Sequence, residues 1–472
     1  MRNFAMMILL LMLALPGYAL DEALVDEATE ALRSAVTYLT EEVAVGGGYA
    51  GSYLADLSDQ WGEGSITATQ NWVQPPGSPS TGMAFVRAWE ATGDPLFLDA
   101  AKLNAESLAW GQLACGGWPY NIDFSSEGER RNFYRHNVGS ADAALTSGGN
   151  VGTMDDNVSQ AATRLLVLVD RALEKAGRPD PAIHEAAMAG LAYLLEAQSE
   201  VGGWPQRYPL SGRGYQDFMT LNDNTMRDCC TVMMLAWQEY GEQRFYDSVV
   251  RCGDFIIKAQ LPAPQASWAQ QYDADLKPGW ARRFEPPAVC TGEAFGVMRL
   301  LIDIAAFTGD QRFLEPLPAA IEWFEGNALP NGRRARFYEL KTNRPLYFYA
   351  ETYMLTYDGS NAPTHYSFEG NYYNPKFAED LQGIYDAGFE NWVEARQNLG
   401  QPTREQQIAA AEALEGNVRT VLAERTPEGV WLHRGGYGGS DVMHLDMSDM
   451  QKKLNALSDY VGNAKGFPGR AN

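Results

Sequence analysis

"AATRLLVLVDRALEKAGRPDPAIHEAAMAGLAYLLEAQ", from Ala161 to Gln198, decides the architecture. Apolar residues recur at helical spacing on both sides of Gly177, and Asp180-Pro181 stand where a second helix should start. The stretch therefore reads as two helices joined by a tight turn. The same grammar returns in Gly82–Leu108 around Gly93-Asp94-Pro95, in Val232–Gln260 around Gly241, and in Ala294–Leu329 around Gly309-Asp310. A single hairpin cannot bury its apolar stripe, but several packed side by side can. Intervals of roughly 65 to 85 residues are long for a simple solenoid, so the connecting loops must carry extra material. The expected fold is all-α, an (α/α) toroid or barrel of paired helices with long irregular loops. A four-helix bundle would need shorter connections. Beyond about Asn361 the pattern changes to plain amphipathic helices, closing with "MSDMQKKLNALSDYVG". No clear linker interrupts the chain, so residues 20–472 are expected to form one domain with a helical C-terminal part.

Residues 1–19 combine Arg2, a short apolar run and small residues up to Ala19, the pattern of a secretory signal peptide. The run is too short to span a bilayer comfortably. A secreted or periplasmic protein is expected, monomeric and away from membranes once the leader is removed. Asp and Glu outnumber Lys and Arg 60 to 37, giving a net charge of −23. Such a surface repels nucleic acid and anionic membranes. An anionic substrate would need a cation or an arginine cluster to bridge the two. Five cysteines allow one or two disulfides with at least one thiol left over. The five histidines form no metal-binding pattern and give histidine catalysis no support.

The unusual loops fall just after the second helix of a pair. "CGGWPYNIDF" (Cys115–Phe124) and "GGWPQRYPLSGRGYQDFMTLNDNTM" (Gly202–Met226) are poor in helix formers and rich in aromatics and oxygen ligands. Asp155-Asp156-Asn157 and Asn222-Asp223-Asn224 would suit a hard cation such as Ca²⁺, which takes oxygen donors. The competing reading makes Asp155 and Asp223 caps of the helices that follow. A third cluster is basic: Arg282 and Arg283, then Arg333, Arg334, Arg336, Lys341 and Arg344. Guanidinium forks match carboxylates bidentately, although salt-bridged surface charge would look the same in sequence. Trp118, Tyr120, Trp204, Tyr208, Tyr215 and Trp280 are either core residues or the walls of a carbohydrate cleft.

At these residues the chain resembles the pectate lyases of polysaccharide lyase family ten. The resemblance rests on five ordered motifs: "GGWPYNIDF", "TMDDNVSQAATRLL", "GGWPQRYPLSGRGYQDFMTLNDNTM", "WARRFEPPAVCTGEAFGVMRLL" and "ARFYELKTNRP". It implies calcium-assisted β-elimination of polygalacturonate on an (α/α) toroid. Asp155 and Asp223 match the family's calcium carboxylates, with Asp156 and Asn222 beside them. Arg282 matches the proton-abstracting base and Arg336 a substrate-carboxylate arginine, with Arg344 close by. Lys341, Arg283, Trp204 and Tyr208 complete the expected substrate-binding set. After "TNRP" the family carries another arginine in a Gly-Arg-Asp-Gly turn, whereas this chain reads "LYFYAETYMLTYDG", with Ala350 near that place. Two alternatives follow from the residues themselves. One is a glycoside hydrolase pairing Asp156 with Glu285 or Glu293, and the other is a carbohydrate-binding protein without turnover.

Overall fold

A computed structural model describes residues 20–139, 149–398, 400–437 and 440–467. The expected signal peptide, residues 1–19, lies outside the described residues. Fourteen α-helices run through the described chain. They are α1 (Glu22–Tyr38), α2 (Ser78–Thr92), α3 (Pro95–Trp110), α4 (Ser126–Arg131), α5 (Val158–Lys175), α6 (Pro181–Ala197) and α7 (Thr225–Tyr240). The series continues with α8 (Gln243–Ala259), α9 (Thr291–Thr308), α10 (Leu317–Gly326), α11 (Lys376–Ala387), α12 (Phe389–Gln397), α13 (Arg404–Ala423) and α14 (Met447–Lys465). No helix among them is long and apolar enough to cross a membrane.

The hairpin turns form for the reasons legible in their residues. Asp94 and Asp180 accept from the backbone N–H groups of Leu96 and Ala182, both at 3.0 Å, and so cap α3 and α6. Gly93, Gly241 and Gly309 end α2, α7 and α9 in the left-handed conformation that lacks a Cβ penalty. The paired helices α2–α3, α5–α6 and α7–α8 pack on one another, and the row α14–α2–α5–α7–α9 packs neighbour to neighbour. This is the expected (α/α) toroid. Helix α1 lies against α13 and α14, so the two ends of the described chain share one core that runs from Leu24 to Ala464. A hollow of about 690 Å³ opens among α2, α5, α7 and α14.

One device recurs after each outer helix. The indoles of Trp118, Trp204, Trp268 and Trp431 are fully buried. Each donates to a helix carbonyl one hairpin-end earlier: Leu108 (2.8 Å), Leu194 (2.7 Å), Ile256 (2.8 Å) and Val421 (2.7 Å). They satisfy acceptors that a helix C-terminus leaves orphaned. After α10 the buried Arg334 takes this position and donates to Phe324 O at 3.1 Å.

Short antiparallel ladders then stitch the loop after each outer helix to the segment leading into its inner partner. Asn121–Asp123 pairs with Gln70–Trp72 before α2, and Arg207–Tyr208 with Gly152–Thr153 before α5. Gln271–Tyr272 pairs with Met219–Thr220 before α7, and Phe337–Glu339 with Ala288–Cys290 before α9. The residue two places after each buried anchor is thereby fixed at the same spot in successive units. Those residues are Tyr120, Gln206, Gln270 and Arg336. Their carbonyls accept from Val73, Met154, Leu221 and Thr291 at 2.7–2.9 Å.

All five cysteines carry free thiols, four of them buried. The one or two disulfides allowed by the sequence are therefore not formed in this structure, where the cysteines serve as small apolar packing residues.

Candidate active site

The lead-ins to α5 and α7 adopt one backbone. Thr153 Oγ1 accepts from Asp155 N (3.2 Å), and Thr220 Oγ1 accepts from Asn222 N (3.0 Å). Two left-handed residues follow in each: Asp156 (φ 50°) and Asn157 (φ 59°), then Asp223 (φ 47°) and Asn224 (φ 60°). Asp and Asn are the non-glycine residues that tolerate this region best. Two consecutive left-handed residues still store strain, which the flanking ladders hold in place. No side-chain cap forms at the start of either helix, so the capping reading of these aspartates fails. The shared backbone also changes the pairing. Asp156, not Asp155, is the counterpart of Asp223, while Asp155 is the counterpart of Asn222.

The result is a group of three carboxylates. Asp155, Asp156 and Asp223 each present an oxygen, and these oxygens lie within 4.8 Å of one another. The Tyr120 hydroxyl donates to Asp155 (3.2 Å) and to Asp156 (3.1 Å), and the Gln206 amide reaches Asp155 at 3.5 Å. Asn222 is buried, accepts from Gln270 Nε2 at 2.6 Å and donates to Asp223. Desolvation raises all three acids, and their mutual repulsion adds to it. Asp223 is pushed up to about 6 by desolvation, then by Asp155 and Glu293, against the pull of Arg282 and Arg336. Hard oxygen donors crowded this closely fit a divalent cation of the calcium type.

Arg282 faces this group. Its Nε and Nη2 grip Glu285 at 2.8 and 2.6 Å, a bidentate pair whose carboxylate is only 2% exposed. The pair raises the proton affinity of Arg282 above the ordinary guanidinium. Gln270 (2.9 Å) and the Tyr366 hydroxyl (3.1 Å) also donate to Glu285. Burial alone would raise Glu285, but Arg282 more than offsets it and holds the carboxyl below its usual range. Arg336 donates to Glu293 at 2.8 Å in a second, more buried ion pair. Both guanidinium groups lie over Tyr366, at 5.6 and 4.2 Å from the ring centroid. The hydrolase reading loses its candidates here. Glu285 and Glu293 are each tied to an arginine, and Glu285 is held below its usual range rather than raised as a general acid requires.

The other expected residues separate. Trp204 was expected to touch substrate; it is fully buried as a helix anchor and cannot. Tyr208 is partly buried and packs edge-on against Tyr193 at 5.9 Å. Arg283 lies over the Tyr353 ring at 3.5 Å. Lys341 and Arg344 are exposed in the turn after Glu339, whose carboxyl is lowered by hydrogen bonds from Thr342 and Tyr357 and then by Arg344, which sits 3.3 Å from the Tyr357 centroid. Arg344 thus lies on Tyr357 and the Lys341 N–H donates to Gln265, so the basic cluster of the sequence is not one site. Trp118 is another anchor, whereas Trp280 stands 48% exposed beside Arg282. Sequence reasoning missed Gln206 and Gln270, which the spacing of two residues after the anchor tryptophans would have found. It also missed Tyr366, which no motif marks.

A family model described as pectic acid lyase matches residues 112–334. The comparison with curated proteins found no match. Among solved structures, the chain is similar to a family 10 polysaccharide lyase from Cellvibrio cellulosa, at 24% identity over 64% of this chain and 97% of that one, with a TM-score of 0.46. An aspartate-to-alanine mutant of a family 10 polysaccharide lyase from Cellvibrio cellulosa, in complex with trigalacturonic acid, matches at 22% identity, covering 66% and 98% with the same score. A glycoside hydrolase family 76 mannosidase from Bacteroides thetaiotaomicron matches at 13% identity, covering 94% and 99%, again at 0.46. At such identities and scores these likenesses establish no activity.

Proposed function

We propose that the chain is a polysaccharide lyase, a divergent member of the pectic acid lyases, that cleaves polygalacturonate by calcium-assisted β-elimination; the pectic acid lyase match over residues 112–334 supports this reading. The observation that carries this reading is the acidic trio set against Arg282 in a strongly acidic protein. Asp155, Asp156 and Asp223 would hold the ion, with Asn222 and Gln206 supporting them. A cation held by these residues would supply Lewis-acid stabilisation to a neighbouring uronate carboxylate.

The chain's own groups do the rest. Arg336, fixed by Glu293 and Tyr366, offers a guanidinium to the sugar carboxylate. Arg282 stabilises the negative charge that develops as the C5 proton leaves and the C4–oxygen bond breaks. While gripped by Glu285 it is protonated and acts as a charge clamp. To receive the C5 proton it must be released from Glu285 and crowded by positive charge, which Arg336 over the same Tyr366 ring would supply. The fully formed Glu285 pair therefore describes the resting site.

Incubation of purified protein with polygalacturonate should raise ultraviolet absorbance as the unsaturated product forms, and a chelator should stop it. Reducing ends without that absorbance would favour hydrolysis. Binding without either product would favour a carbohydrate-binding role.

A further inference from the structure

An aromatic layer continues the site away from the acids. Arg282 lies 5.0 Å from the Phe284 centroid. Phe284 meets Tyr366 (4.9 Å), His365 (5.2 Å) and Tyr353 (5.8 Å). Beyond them, Arg283 rests on Tyr353 with its guanidinium carbon 3.5 Å from the ring centroid. Arg283 is exposed, and among the described residues no carboxylate pairs with it. Its sequence neighbour Arg282 and the buried Arg336 are both paired.

Tyr353 is itself unusual. It has φ 57°, in the left-handed region that a bulky aromatic side chain rarely occupies. Its N–H donates to Tyr349 O at 2.8 Å, and its hydroxyl contacts His365 Nδ1 at 3.4 Å. The strained turn thus holds the Tyr353 ring beneath the Arg283 guanidinium. Trp280, 48% exposed, is fixed on the same segment by its N–H bond to Arg282 O at 3.0 Å. An unpaired guanidinium carried on an aromatic ring, with an exposed indole on the same segment, can engage a carboxylate and an apolar sugar face.

We propose that Arg283, propped on Tyr353, is a specificity-determining contact for a uronate carboxylate one or more sugars removed from the bond being cleaved. The inference rests on the anionic-polysaccharide reading above and adds the residue that selects acid over ester along the polymer. A polyuronate carries a carboxylate on every sugar, so a chain docked at Arg336 offers further carboxylates to a second guanidinium along the cleft. Stacking on Tyr353 lowers the entropy cost of presenting it.

Calorimetric titration with an oligogalacturonate and with its methyl-esterified counterpart tests this in the wild type, Arg283→Ala, Arg283→Lys and Tyr353→Leu. Arg283→Ala should weaken the acidic oligomer about tenfold and leave the ester unchanged. Arg283→Lys should recover part of the loss, because charge without the planar fork remains. Tyr353→Leu should weaken the acid less, and thermal melting shows whether that variant remains folded. Equal losses on acid and ester, or no loss in Arg283→Ala, would overturn the proposal. A wild type that binds the acidic oligomer without turning over polymer would count against the lyase reading and leave this one standing. A wild type that binds neither oligomer overturns both.

Discussion

The turns before α5 and α7 differ from the turn before α9, although the same ladder leads into each. In the first two, a pair of left-handed residues precedes the helix and turns Asp156 and Asp223 toward a common point with Asp155. In the third, α9 starts directly after Cys290 with no left-handed residue, and Glu293 is neutralised by Arg336. One frame therefore presents two kinds of acid: a trio without an ion-pair partner among the described residues, and a carboxylate whose cation the chain supplies itself. The difference teaches that charge compensation, not acidity, separates a candidate ion site from a structural ion pair.

Breaking the shared frame should have the largest effect. Trp204→Ala removes a buried indole and its bond to Leu194, and should cost about 3–5 kcal/mol in denaturant unfolding. Breaking the trio should act on chemistry and spare the fold. Asp223→Ala should lower kcat/KM on polygalacturonate by roughly 10²–10³-fold with helical circular dichroism intact. Breaking the compensated acid should do the reverse. Glu293→Gln leaves Arg336 buried without its counter-charge and should cost about 3 kcal/mol of stability in denaturant unfolding.

Two smaller tests sharpen the contrast. Asp228, on α7 but outside the trio, is pushed up to about 7, chiefly by burial and against Arg227 and Arg164. Its folded pKa lies above its unfolded one, so the stability it contributes is present in acid and lost as pH rises toward and through 7. Asp228→Asn should therefore melt above the wild type at pH 8 by about 1–2 kcal/mol of stability, and alike at pH 4. Asn224→Gly, at φ 60°, should change stability by only a few tenths of a kcal/mol, because glycine accepts that backbone freely.

The helical frame was legible because hairpin grammar is local: Asp94, Asp180 and the glycines at 93, 241 and 309 act within one turn of where they stand. The acids were legible as a group, since Asp155, Asp156 and Asp223 do converge. Their pairing was not, because equivalence of Asp156 with Asp223 comes from ladder register rather than from letter-by-letter similarity. Trp204 misled for a related reason. A tryptophan in a glycine-rich loop looks exposed until the helix carbonyl it caps is known. The basic cluster dispersed because Arg334, Arg336 and Arg344, close in sequence, belong to a buried anchor, the site and an exposed turn. Tyr366 lies 81 residues from the Glu285 it touches, a contact no spacing rule reaches.

The most direct test is calorimetric titration of calcium into the purified protein and into an Asp156→Asn/Asp223→Asn double variant. One ion should bind per wild-type chain and none per double-variant chain, with both proteins melting as folded helical domains. Absence of calcium binding by the wild type, or equal binding by the two proteins, would contradict the proposed calcium site.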